Sequence, residues 1–267
     1  MRMNLPVSQQ NYNFPGDELL VSSTNTKGEI THCNPAFVRV SGYSYEELIG
    51  QPHNLIRHPD MPAAAFKDMW RTIAHGYPWT ALVKNRRKNG DHYWVRANVT
   101  PIMEGGKPRG YLSVRTKPSA KEVAEAEVLY ARMRTEEKSG QSSFRLRAGE
   151  VRRLGLMGLW DSRKDVGLVA RMAWLLAVLA LLVLLPDMLG WQGAAAWGWR
   201  AASLVAGGVF VLWRFHRRCV AGLEEASRFA ADVAACNLST ESNQSYNGAM
   251  GALMLRLQQI QINLRAV

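Results

Sequence analysis

The chain has 267 residues, 47% hydrophobic and 21% charged, a globular composition with room for one domain of ordinary size and further modules. Its net charge of +11 does not single out a nucleic-acid partner. The basic residues are spread over a strand-rich first part and the flanks of an apolar block at 166–213, where positive charge beside a membrane segment is the commoner cause. Cys33, Cys219 and Cys236 have neither metal-like nor paired spacing, which argues against a disulfide framework and for buried thiols in a reducing compartment.

Residues 1–18 are a polar leader without an apolar run, so no cleaved signal peptide is expected; the leader orders only against a partner or its own domain. Leu19–Thr24 and Glu29–Cys33 are strand-like and joined by a turn at Thr26-Lys27-Gly28. Asn34-Pro35-Ala36-Phe37 opens a short helix, and Ser44-Tyr45-Glu46-Glu47 has the capping-box spacing of a second one ending at Gly50. The next stretch, GQPHNLIRHPDMPAAAFKDMW (50–70), runs from a basic loop into an amphipathic helix. Asp60 is placed to cap that helix, Pro62 lies just inside it, and Phe66, Met69, Trp70 and Ile73 share one apolar face. His53, Arg57 and His58 precede it. Such donors suit a ligand with a charged part and a flat apolar part; a solvated basic loop before a core helix accounts for the same residues. Trp79–Arg86, Tyr93–Met103 and Gly110–Arg115 follow as strands, with Asn89-Gly90 as a hairpin cue and Gly105-Gly106 as a second turn. Two strands, several short helices and three strands describe an α+β domain: an antiparallel sheet with helices on one face.

Asn34-Pro35-Ala36-Phe37, Ser41-Gly42-Tyr43, Glu47-Leu48-Ile49-Gly50, Asn89-Gly90 and the closing strand at Gly110-Tyr111 resemble a PAS domain, a five-stranded antiparallel sheet with short helices. The stretches GQPHNLIRHPDMP (50–62), AAFKDMW (64–70) and VKNRRKNGDHYWVRAN (83–98) resemble more closely the flavin-binding PAS domain of bacterial aerotaxis receptors. The resemblance is strong up to about residue 120 and beyond it holds only in the arrangement of segments. It implies a noncovalently held FAD whose redox state reports on oxygen and cellular energy. A diphosphate wants cations, which Arg57, His53 and His58 offer, and Asp60 is available to orient Arg57. Trp70 and Trp79 offer walls for a flat ring, and each is equally well explained as a core tryptophan. The resemblance makes Asn34 and Asn85 the amide partners of the flavin edge, since an asparagine exchanges donor and acceptor by rotating; a cap before Pro35 is the other role open to Asn34. Asn98 and Arg115, on the last two strands, are expected to carry the signal outward.

Beyond the domain at 19–117, residues 118–165 are a charged connector and basic juxtamembrane segment. Lys121–Arg134 is helix-like, Ser139–Ser143 breaks it, and Arg145, Arg147, Arg152, Arg153, Arg163 and Lys164 accumulate after it. Val166–Leu185 and Ala194–Trp213 form a candidate transmembrane hairpin (166–213), the first interrupted only by Arg171 and the second by Arg200. Ala201, Ala202, Ser203, Ala206, Gly207 and Gly208 permit close helix packing, and Trp191, Trp197 and Trp199 fall where an interfacial belt belongs. Basic residues flank only the outer ends, which places both termini in the cytoplasm at a bacterial inner membrane. In 214–267, Leu223, Ala226, Ala230 and Val233, then Met250, Leu253, Leu257, Ile260, Leu264 and Val267, repeat at 3–4 spacing around a polar break at 237–245. Helix, connector and helix directly after a membrane span resembles a HAMP relay module, which implies a homodimer; a generic dimerising coiled coil fits the same spacing. Residues 214–267 leave no room for the long helical signalling hairpin of aerotaxis receptors, so the expectation is either a shortened natural relative or a separate chemotaxis signalling protein that supplies the output.

Three other readings are weaker. A light sensor of the LOV type needs a cysteine beside the ring, and Cys33 lies at the end of a strand. A haem site needs an axial histidine, for which His75 is conceivable but lies at a helix end beside Gly76. No nucleophile–base pair, metal cluster or phosphate-binding glycine loop points to an enzyme. A cofactor-free PAS interaction module on a membrane-anchored dimer remains the alternative to the redox sensor.

Overall fold

The computed structural model describes residues 4–140, 143–153, 168–238 and 248–265, and divides into two compact units, Met1–Leu159 with Ile262–Val267 and Trp160–Gln261. The first is built on a five-stranded antiparallel sheet, β1 Leu20–Asn25, β2 Ile30–Cys33, β3 Trp79–Arg86, β4 His92–Glu104 and β5 Lys107–Thr116, in the order β2-β1-β5-β4-β3. The two halves of the strand set meet through β1 and β5, paired from Leu20↔Arg115 to Asn25↔Gly110. The Asn89-Gly90 turn joins β3 to β4 in the register Trp79↔Val99 through Arg86↔His92. Because side chains alternate along a strand, that register gives Trp79, Val83 and Asn85 one face with Ala97 and Val99, and puts Lys84, Trp94, Arg96 and Asn98 on the other.

The helices between β2 and β3 cover the first of these faces. Helix α1 (Pro35–Ser41) is capped by Asn34, with proline in its first turn, and ends at Gly42. Helix α2 (Tyr45–Leu48) carries the expected capping box: Ser44 Oγ accepts from Glu47 N at 3.3 Å and Glu47 accepts from Ser44 N at 2.9 Å. A 3-10 turn at His53–Ile56 leads to α3, Ala63–Ala74. Asp60 does not cap α3: the N-cap position is Pro62, the helix has no cap from its own side chains, and Glu137 accepts from Ala63 N and Ala64 N instead.

The polar leader orders against the domain. Asn4 donates to the carbonyls of Asn54 and Arg57, both at 2.8 Å, Tyr12 N donates to His92 O at 2.7 Å, and Phe14 is buried in the core. Residues 120–140 and 143–153, part of the expected connector at 118–165, pack on the domain. Helix α4 (Ala120–Ser139), started by a Ser119–Glu122 capping box, lies on the second face of the sheet: Tyr130 stacks on Trp94 and donates to Leu82 O at 2.6 Å. Its Ala126, Tyr130 and Met133 join the same core as the strands. A hairpin, β6 Phe144–Arg147 and β7 Glu150–Arg153, then fastens to α3: Gly149 N donates to Asp68 at 2.8 Å and Arg71 donates to Leu146 O at 2.9 Å. A Cβ on Gly149 would lie 1.9 Å from the Thr80 carbonyl, so only glycine allows that approach. Arg163 and Lys164 of the basic cluster lie outside the described residues.

The second unit begins with two apolar helices, α5 (Leu168–Met188) and α6 (Ala194–Phe215). Ala170–Met188 and Ala194–Phe215 are long and apolar enough to cross a membrane. Gly207 receives Leu179 so closely that an added Cβ would lie 2.3 Å from it, the close packing its small neighbours anticipate. Arg200 pairs with Asp187 in the last turn of α5, which offsets the one charge interrupting the second apolar run. A π-helical turn at His216–Val220 continues into α7 (Ala221–Ala234), and α8 spans Gly248–Arg265. The packed face of this pair differs in part from the expected repeat: Ala226, Phe229 and Val233 enclose Met254 with Met250 and Leu257, while Leu223, Leu253, Ile260 and Leu264 are exposed. Phe229 replaces Ala230 as the inward residue because the larger apolar ring gains more from leaving water. Most of the polar break at 237–245 lies outside the described residues.

Candidate functional site

Between α3 and the first face of the sheet lies a cavity of about 220 Å³. Phe66, Met69, Trp70 and Ile73, the apolar stripe of α3, form one wall; Trp79, Val83, Asn85, Ala97, Val99, Tyr111, Ser113 and Arg115 form the floor. The β1–β2 turn contributes Lys27 and Gly28, and the loop after α2 contributes Pro52, His53, Asn54 and Arg57. Among the described residues the walls thus hold the basic side chains Lys27, Arg57 and Arg115 and no carboxylate.

Arg115 is 3% exposed, yet no described carboxylate pairs with it. It donates to Ser22 Oγ at 3.1 Å and to His53 Nε2 at 2.6 Å, with its guanidinium 5.0 Å from the Phe37 ring. Burial lowers its pKa to about 10, so it stays charged at neutral pH. A guanidinium only donates, so His53 Nε2 must accept and the His53 proton resides on Nδ1. Desolvation first, then Arg115 and Arg57, hold His53 well below 6.5 and therefore neutral. Arg57 lies with its guanidinium carbon 3.4 Å from the Phe66 centroid, and burial lowers it to about 10. A backbone bridge between Arg57 and Asn85 brings the loop to the edge of β3.

The walls also expose unmet hydrogen-bonding capacity. Asn54 Oδ1, Arg57 Nε, Asn85 Nδ2 and Ser113 Oγ are buried without a hydrogen-bond partner, and all four residues line the cavity. Buried polar atoms cost free energy when left unpaired, so this donor and acceptor set matches a polar ligand better than an empty core.

Of the residues expected at the site, His53, Arg57, Trp70, Trp79, Asn85 and Arg115 line the cavity. Trp70 meets Tyr111 edge to face at 5.6 Å, and Trp79 Nε1 donates to Asp68 at 3.1 Å. Asn34, His58, Asp60 and Asn98 stand outside it. The Asn34 amide is used locally: Oδ1 accepts from Phe37 N and Val21 N, and Nδ2 donates to Leu19 O at 2.8 Å. His58 is fully buried behind the loop, where Nδ1 accepts from Asp60 N and the ring edges against His92; burial, then Lys84, lowers it to about 4. Asp60 orients Lys84, at 2.9 Å, rather than Arg57. Asn98 faces away from the cavity, bonded to Thr80 Oγ1 and the Val114 carbonyl. Neither Cys33 nor His75 lines the cavity. Sequence reasoning missed Lys27, Asn54 and Ser113. Ser113 was within reach, since strand alternation from Arg115 places it and Tyr111 on the cavity face.

The family model described as PAS fold matches residues 30–115, which span β2 to β5 and every cavity-lining residue except Thr24, Lys27 and Gly28. Residues 30–115 belong to the PAS fold family. Over 205 residues, more than the PAS domain alone, the chain is 43% identical to the aerotaxis receptor of Escherichia coli, covering 73% of this chain and 40% of that protein. Over 92 residues the chain is 33% identical to a nitrogen fixation regulatory protein of Klebsiella pneumoniae, covering 34% of this chain and 18% of that one. A solved light-oxygen-voltage domain studied with a flavin analogue is 21% identical at a TM-score of 0.38, over 46% of this chain and 89% of that one. The chain therefore spans less than half the length of either curated relative.

Proposed function

We propose that the chain is a membrane-anchored redox sensor of the aerotaxis type, with FAD held noncovalently in the PAS cavity. The supporting observation is the cavity itself: apolar, aromatic walls around Lys27, Arg57 and Arg115, with no carboxylate among the described residues that line it and with Asn85 Nδ2 unpartnered. That set fits a flat ring carrying an anionic tail, and it fits a neutral apolar ligand poorly. Bound FAD supplies a reversible electron store whose charge and protonation change on reduction.

The chain's own residues then bind and register. Arg57, on the loop before α3, holds anionic oxygens, and Trp70 and Trp79 bracket the flat part. The Asn85 carboxamide meets a ring edge and turns over when that edge exchanges acceptor for donor. Arg115 senses added negative charge from the floor, tethered by Ser22 and His53. The helix pair α5–α6 anchors the chain as a hairpin with both termini cytoplasmic, and the exposed apolar set on α8 pairs with a second copy in a HAMP-like dimer. A chemotaxis signalling protein reads that dimer, and the chain itself is not an enzyme. The test is the absorption spectrum of the full chain purified in detergent from riboflavin-rich cells, with dithionite added. A flavin spectrum that bleaches is expected; a colourless protein that does not retain added FAD overturns the reading in favour of a cofactor-free interaction module.

A further inference from the structure

The segment that delivers Arg57 to the cavity is gripped from behind by α4. Arg134 donates to the Asp60 carbonyl, three residues after Arg57. Three residues further along α4, Glu137 accepts from Ala63 N at 3.3 Å and Ala64 N at 2.8 Å. These N–H groups belong to the first turn of α3, whose N-cap, Pro62, gives no side-chain hydrogen bond. A carboxylate there meets both the free donors and the positive end of the helix. Both grips fall on backbone, so they fix the path of the chain from Arg57 into α3 whatever the side chains do. One side of that path is cavity wall, through Arg57 and Phe66; the other is the surface on which α4 is docked.

We propose that Arg134 and Glu137 are positioning residues for Arg57, so that docking of α4 and loading of the cavity are one linked equilibrium. The inference rests on the flavin reading of the site. A ligand that fixes Arg57 fixes the Asp60 carbonyl and the start of α3 in the place α4 grips; α4, when docked, presents Arg57 in its binding position. Linkage requires the effect to be reciprocal. Leaving α4 therefore weakens loading, and a change of charge at the ligand that releases Arg57 loosens α4.

The test is a double-mutant cycle on the full chain in detergent, with FAD titrated by fluorescence. One arm is Arg57→Gln, the other the pair Arg134→Gln with Glu137→Gln, and the third combines all three. The α4 pair is expected to weaken FAD binding about tenfold and Arg57→Gln by about tenfold or more, with the combination little weaker than Arg57→Gln alone, because the grip acts through Arg57. If the effects multiply, or if the α4 pair binds FAD like the parent, the inference is overturned. Hydrogen exchange of amides 57–64 without added FAD provides a second measurement. The α4 pair is expected to lose protection there while the β3–β4 ladder keeps its own, and unchanged exchange overturns the inference. Should the parent bind no FAD, the flavin reading fails by itself, and the grip is judged by exchange alone.

Discussion

The two faces of the PAS sheet treat charge in opposite ways. On the face under α4, Lys84 meets Asp60 at 2.9 Å and Arg96 meets Glu122, so these two cations arrive with carboxylates from this chain, while Arg86, at the end of β3, donates to the Pro6 carbonyl and the Tyr43 hydroxyl. On the cavity face, Arg57 and Arg115 are buried or half-buried with only neutral partners, an aromatic ring for one and a hydroxyl and an imidazole for the other. Burying unpaired charge is costly, and a fold that needed those arginines only for stability would gain by pairing them or replacing them with apolar residues. The contrast separates a face built for stability from one built to receive something.

That contrast can be broken experimentally. The largest effect is expected from Arg57→Gln, which removes charge-assisted bonds to the ligand worth about 1.5–3 kcal/mol, or roughly 10- to 150-fold in FAD affinity, without lowering the thermal midpoint of the empty protein. Equilibrium titration and a melting curve check the two halves separately. Asp68→Ala should do the reverse. Asp68 holds Trp79, Arg71 and Gly149 together from a buried position, so its loss is expected to lower stability by about 2 kcal/mol, read by denaturant unfolding with tryptophan emission. A pH profile tests the loop that separates the two faces. Above pH 6.5 His58 is neutral in the folded and unfolded chain alike. Between 6.5 and about 4 the unfolded chain takes up a proton that the folded one refuses, so stability falls as the pH falls. His58→Gln should flatten that decline without abolishing it, since His53 and His92 are shifted in the same direction. The smallest effect belongs to Arg96→Met, whose pair with Glu122 is more than a third exposed: a change under about 1 kcal/mol, shrinking in high salt, with FAD affinity unaltered.

Much of this arrangement was legible in the sequence where the signals were local. The strands, the Ser44–Glu47 box, the Asn89-Gly90 turn and the apolar stripe of α3 all follow from neighbours a few residues apart. Residues whose role depends on a distant partner were not legible. Asp60 has the right side chain for a cap, but Lys84 and the position of Pro62 took it elsewhere, and the cap comes from Glu137, more than seventy residues on. Asn34 resembles a ligand contact, and three backbone groups use it up. Asn98 could have been placed by parity alone, since it alternates out of phase with Ala97 and Val99 on the cavity floor. Helix α4 was visible as a helix; that it docks was hidden, because its buried stripe of Ala126, Tyr130 and Met133 is sparse and its flanks are charged.

The Gly149 approach to Thr80 bears on how the chain can be cut into pieces. A fragment ending at Lys117, the boundary that strand counting favours, would strip Tyr130 from Trp94, Glu137 from α3 and Gly149 from Asp68. It would leave an indole face wet and a buried acid short of one donor. The smallest excisable piece that keeps these contacts ends at Arg153, beyond the last strand of the family match, and shorter versions are candidates for poor solubility.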